Sequence, residues 1–110
     1  MAYDRVLAQR IRDATAGEPG LSEKAMFGGL AFLVRGNMAV AASGQGGVLL
    51  RIDPADAESL TSQPHVERFE MRGRAMNGWL AVHPEALQTD AELQAFVDVG
   101  LSYARSLPAK

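Results

Sequence analysis

The sequence predicts an α+β fold: a five-stranded antiparallel sheet with the helices packed on one side, in the order α-β-β-β-α-β-β-α. Three observations carry that expectation. Amphipathic stripes of helical period open and close the chain, apolar runs of strand length lie between them, and every strand connection except the middle one is short enough for a hairpin. At 110 residues the chain reads as a single domain, 1–110, and folding at this size should bury about two-thirds of the surface the unfolded chain exposes.

The elements follow in order. Tyr3, Val6, Leu7, Ile11 and Ala14 recur at helical spacing, so residues 3–16 read as an amphipathic helix that "AGEPG" ends. Residues 24–34 and 38–43 read as strands joined by "RGN", where Gly36 and Asn37 tolerate the positive φ of a tight hairpin. "SGQGG" turns the chain into a third strand, "VLLRI". In "DPADAESL" Asp53 suits a helix cap, Pro54 the first helical position and Asp56 the acidic first turn, for a short helix reaching Leu60 or Thr61. "VERFEM" and "GWLAVH" read as two more strands around the loop "RGRAMN". Thr89 and Glu92 then form a capping box for a helix whose stripe is Leu93, Phe96, Val97, Leu101, Ala104 and Leu107, stopped by Pro108. Gly28 and Gly29 stand inside the first strand run, where glycine weakens a regular element. A bulge, or the close approach of a helix or partner backbone, would account for the pair.

Composition narrows the function classes. With 47% hydrophobic and 22% charged residues the chain is that of a soluble globular protein. No apolar run approaches the ~18 residues of a membrane span, and "MAYDRVLAQR" has no signal-peptide centre, so a cytoplasmic location is expected. The lack of cysteine excludes disulfides, thiolate metal sites and a cysteine nucleophile. A net charge of −2 gives no global attraction to nucleic acid or to an anionic membrane, although nine of the eleven basic residues are arginine.

Catalytic patterns are scarce. His65 and His83 stand apart from metal-ligand spacing, and no cofactor motif is found. Ser43 lacks the strand-to-helix setting of a nucleophile elbow, and "GQGG" has neither a following helix nor a lysine for a phosphate. Asp53 with Asp56, and Glu67 with Glu70, are accounted for by capping and by a solvated strand face. That leaves "KAMFGG" and "RGRAMNGW", each combining basic, methionine, aromatic and glycine residues. Lys24, Met26, Phe27, Gly28, Gly29, Arg72, Arg74, Met76 and Trp79 are the candidate binding residues, an adaptable apolar surface with a basic rim. The plainer alternative makes Met26, Phe27, Met76 and Trp79 core residues and the arginines solvated, and sequence physics alone favours it.

"KAMFGGLAFLVRGNMAV" and "MRGRAMNGWLAVHPE", with the closing helix "FVDVGLSYARSLP", resemble the N-terminal domain of the TfoX/Sxy family of bacterial competence regulators. The resemblance covers nearly the whole chain, and "MFGG" with the strand after it is its most specific piece. It implies an α+β fold similar to secretion-chaperone-like and YgaC-like domains, in agreement with the element order above. Full-length regulators of the family carry a second, C-terminal helical domain. This chain ends at Lys110, as a stand-alone N-terminal domain would, so a role in competence or with the cyclic-AMP receptor protein is not carried over.

The leading expectation is a small non-enzymatic interaction or regulatory module that takes a protein partner and needs no cofactor. An anion or nucleic-acid binder using Lys24, Arg72 and Arg74 ranks second, and a small enzyme last. A homodimer is also expected, because both faces of "LAFLV" are apolar and one helical layer covers only one of them.

Overall fold

The computed structural model describes residues 3–26, 28–71 and 73–110. Helix α1 (Arg5–Ala14) begins where the Asp4 carboxylate accepts from the Val6 and Leu7 amides, and it buries Leu7, Ala8 and Ile11. Strands β1 (Leu21–Met26), β2 (Gly29–Val34), β3 (Asn37–Ala42) and β4 (Val48–Arg51) follow as a meander. A 3₁₀ turn at Pro54–Asp56, capped by Asp53, leads into α2 (Ala57–Thr61). The hairpin β5 (Val66–Met71) and β6 (Arg74–Val82) precedes α3 (Asp90–Ser106), which carries the expected Thr89–Glu92 capping box. The strand order is β1-β2-β3-β4-β6-β5, and every pairing is antiparallel.

The sheet therefore has six strands where five were expected. The run expected as one strand over 24–34 is two, because Met26 pairs with Gly29 and closes a hairpin. Gly28 sits at φ +75° in that turn, a conformation that L side chains rarely adopt. Gly29 is buried, and a Cβ there would collide with the Ala42 carbonyl oxygen. The pair thus makes a turn and a close backbone approach, and the bulge considered from sequence does not occur there. β6 also starts at Arg74 and not at Gly78, so most of the loop expected over "RGRAMN" is strand. It takes up its extra residues between Leu80 and Ala75, where the register against β5 shifts. In the "RGN" hairpin the positive φ angles fall on Arg35 and Gly36, whereas Asn37 is in β3 and buried.

The three helices share one face of the sheet. Leu7 and Ile11 of α1, Ala57 of α2, and Leu93, Phe96, Val97 and Leu101 of α3 form one cluster with Phe32, Val40, Leu50, Leu80 and Val82. α3 lies closest, over β3 and β4. A Cβ at Gly100 would collide with the Ala39 carbonyl oxygen and come within 2.9 Å of Leu50 Cδ1, so only glycine lets the helix axis sit at this height. The chain end is fixed by polar contacts. The Asn37 side-chain amide donates to the Pro108 carbonyl at 2.9 Å, and the Lys110 amide to the Arg35 carbonyl at 2.9 Å.

Gly100→Ala is expected to destabilise the fold by about 1–3 kcal/mol, because a backbone atom, which has no rotamer to yield, blocks the new methyl. The Gly28→Ala/Gly29→Ala double variant should also unfold several degrees below wild type. Thermal melts followed by circular dichroism check both, and unchanged midpoints would remove the close-approach account.

Candidate interaction surface

Alternation along the strands sends every second side chain to the face without helices. Across the sheet the register sets Lys24 against Ala31, Ala31 against Ala41, Ala41 against Leu49, Leu49 against Ala81, and Ala81 against Glu67. One row thus crosses the open face with a cation at one edge, an anion at the other and small or aliphatic side chains between. Ala31, Met38, Ala41 and Leu49 are buried there as a second cluster, with Met26, Leu33, Phe69, Trp79 and Ala81 half-buried around them. The small residues keep the middle of this patch low, and the large ones stand at its margins.

The residues singled out from sequence are not all in this patch. Met26 and Trp79 flank the same cluster from opposite sides of the sheet. Lys24 is exposed on β1, level with Ala81 near the end of β6, whereas Arg74 is exposed at the start of that strand, so the two cations do not meet. Met76 is half-buried beside the β6 irregularity. Gly28 and Gly29 shape the β1–β2 hairpin. Phe27 and Arg72 lie outside the described residues. Sequence reasoning missed Met38, Leu49, Phe69 and Ala81, although the two apolar faces of "LAFLV" were the available signal. It also missed Arg51, whose guanidinium lies 5.5 Å from the Trp79 ring centre and 5.8 Å from that of Tyr103 on α3. These are cation–π distances, and they hold Trp79 at the margin of the patch.

The perturbed charges lie elsewhere and tie helix to loop and strand. Arg12 Nε and Nη2 donate to both carboxylate oxygens of Glu23 on β1, at 2.7 and 3.0 Å. Arg105 grips Glu18 the same way from α3. The hydrogen bonds from Arg105 and Arg12 hold the Glu18 and Glu23 carboxyls below their ordinary range, against the opposing effect of burial. Glu18 is 8% exposed in its side chain and Glu23 34%, so solvent screens the second pair more. On the sheet's far edge His83 Nε2 meets Glu67 Oε2. Among the described residues no group of three or more His, Asp or Glu side chains is placed to hold a metal ion, and no helix is long and apolar enough to cross a membrane.

A twisted antiparallel sheet, covered by helices on one face and presenting an apolar patch on the other, defines a small one-sided α+β domain. The chain belongs to the TfoX N-terminal domain family, whose model matches residues 13–104, nearly its whole length. No curated protein matches it.

The lowered carboxyls give stability a pH dependence. Ionised Glu18 and Glu23 stabilise the fold fully above the unfolded carboxyl value of 4.5, and that contribution is lost as the pH falls through their lower folded values. Arg105→Gln is expected to lower Tm at pH 7, with the gap to wild type closing as the pH drops below 4.5. Melts across pH 3–8 check it, and a gap of constant size would show that the pair contributes nothing through charge.

Proposed function

We propose that this protein is a non-enzymatic interaction module that docks a protein partner on the open face of its sheet. Membership of the TfoX N-terminal domain family gives a regulatory, competence-related setting at the level of the family. The single observation that carries the docking reading is the second apolar cluster on the helix-free face, with Met26, Leu33, Phe69 and Trp79 half-buried at its margins. A half-buried tryptophan beside flexible methionines is the composition of an adaptable contact surface. The partner suited to it is a protein segment with apolar side chains at its centre and polar ones at its ends, because the patch is apolar in the middle and runs from Lys24 to Glu67.

A binding role also accounts for the charges better than a catalytic one. The carboxyls with perturbed acidity are lowered by arginine partners that join α1 to β1 and α3 to the loop before β1. A general acid working near neutral pH needs the opposite shift. The rival anion-binding reading draws on Lys24, Arg72 and Arg74; Arg72 lies outside the described residues, and Lys24 and Arg74 stand on separate strands at different levels of the sheet.

Affinity capture with the tagged protein, read by mass spectrometry, tests the docking reading when it is run with paired variants. Leu33→Glu and Trp79→Ala are expected to lower recovery of the partner by about tenfold or more, and Val6→Glu, on the exposed side of α1, to leave it unchanged. Equal recovery with all three variants would sink the docking reading. Capture that falls steeply with salt would move the function to the anion-binding alternative, since phosphate contacts release counterions.

A further inference from the structure

The two edges of the sheet offer different things to another strand. On β1 the charges Glu23 and Lys24 are adjacent, so they lie on opposite faces and no antiparallel register sets one against the other's copy. β5 carries Glu67, Arg68, Phe69 and Glu70, and among the described residues no strand lies beyond it. The His83 amide donates to the His65 carbonyl at 2.9 Å, which turns the backbone of odd-numbered β5 residues toward β6. The register shift between Arg68 and Glu70 puts its extra residues in β6, and β5 keeps its alternation across it, with Glu67 and Phe69 both on the open face. The N–H and C=O groups of Arg68 and Glu70 consequently point outward, away from the sheet. Their side chains share one face, with Phe69 on the other, where it joins the open-face cluster. Both side chains are exposed, and neither has an ion-pair partner among the described residues.

From this arrangement the geometry points to a second copy of the chain as the occupant of the β5 edge. The two β5 strands pair antiparallel about a two-fold axis through Phe69. Arg68 of each copy then stands opposite Glu70 of the other, and the outward backbone groups of these residues supply the ladder hydrogen bonds. Phe69 meets its own copy across the axis on the open face. An axis through Glu67, Arg68 or Glu70 would set that residue against its own copy, and like charges directly opposite destabilise a strand pair. An axis between residues would set outward backbone groups against inward ones, which cannot bond. Among registers centred within residues 67–70, the Phe69 register is therefore the one that satisfies both charge and hydrogen-bond direction, and it has the self-complementarity a two-fold interface requires. It would join two six-stranded sheets edge to edge. The inference goes beyond the docking reading and does not depend on it, because it rests on the strand edge and shares only Phe69 with the apolar patch.

Sedimentation velocity over a range of concentrations tests the pairing by charge exchange. Wild type is expected to dimerise, and Arg68→Glu or Glu70→Arg alone to raise the dissociation constant by about tenfold or more. The two single variants, mixed, should associate with each other, since each supplies the charge that the other's strand lacks. The double exchange, Arg68→Glu with Glu70→Arg, should restore the homodimer. Association on mixing requires both variants to be folded, which circular dichroism confirms separately. A wild type that stays monomeric at the highest concentration overturns the inference, as does a dimer unaffected by either single exchange. A failure of partner capture by the Leu33→Glu variant with the dimer intact would bear on the docking face alone.

Discussion

The height at which α3 rests on β3 and β4 governs the arrangement of the other elements. Gly100 lets the helix backbone come down onto the Ala39 carbonyl, and from that contact Leu93, Phe96, Val97 and Leu101 reach the core. The remaining ties lead back to the same helix. Gln94 Nε2 donates to the Ala14 carbonyl at the end of α1, Arg10 of α1 reaches Asp90, and Arg105 holds Glu18. Magnitudes separate these roles. Fully burying one large aliphatic or aromatic side chain stabilises by about 1.5–3 kcal/mol, whereas an exposed ion pair contributes at most about 1 kcal/mol. Packing of α3 thus dominates the core, and the arginines tie α1 and the loop before β1 to the elements around them.

Collecting all three helices on one face leaves the other to solve its own burial problem. It does so with modest side chains. Ala31, Ala41 and Ala81 present little apolar area to water, and the larger Met26, Leu33, Phe69 and Trp79 lean against the cluster from its margins. The chain can therefore keep an apolar face without a large exposed apolar expanse, and among the described residues the one large hydrophobic side chain that is mostly exposed is Val6, on α1. The Arg51 guanidinium, within cation–π distance of both the Trp79 and Tyr103 rings, adds a contact at the margin of the patch.

Much of this architecture was legible in the chain, and what was not had physical causes. The capping box at Thr89, the cap at Asp53 and the two amphipathic stripes are local signals, and local geometry fulfils them. Gly28 and Gly29 were legible as a pair with a structural purpose, but a turn and a bulge ask for the same residue. β1 was half hidden because an edge strand exposed on both faces shows no alternation, and "LSE" lies outside the strand expected over 24–34. Gly100 lay on the apolar stripe of α3 without a signal of its own, since the backbone it approaches is about sixty residues away in sequence. At the candidate surface Met26 and Trp79 were found because their residue types are uncommon. The alanines and Leu49 were passed over because small apolar residues look alike on either face.

The buried Asn37 amide ties the β2–β3 hairpin to a segment far along the chain. Its acceptor is the Pro108 carbonyl, so the β2–β3 hairpin, although formed by neighbouring residues, satisfies its own interior only through a residue 71 positions away. Without that contact the amide would have to stay hydrated or be left as an unpaired buried donor. The segment around Pro108 thereby acts as a latch on a hairpin formed far from it in sequence.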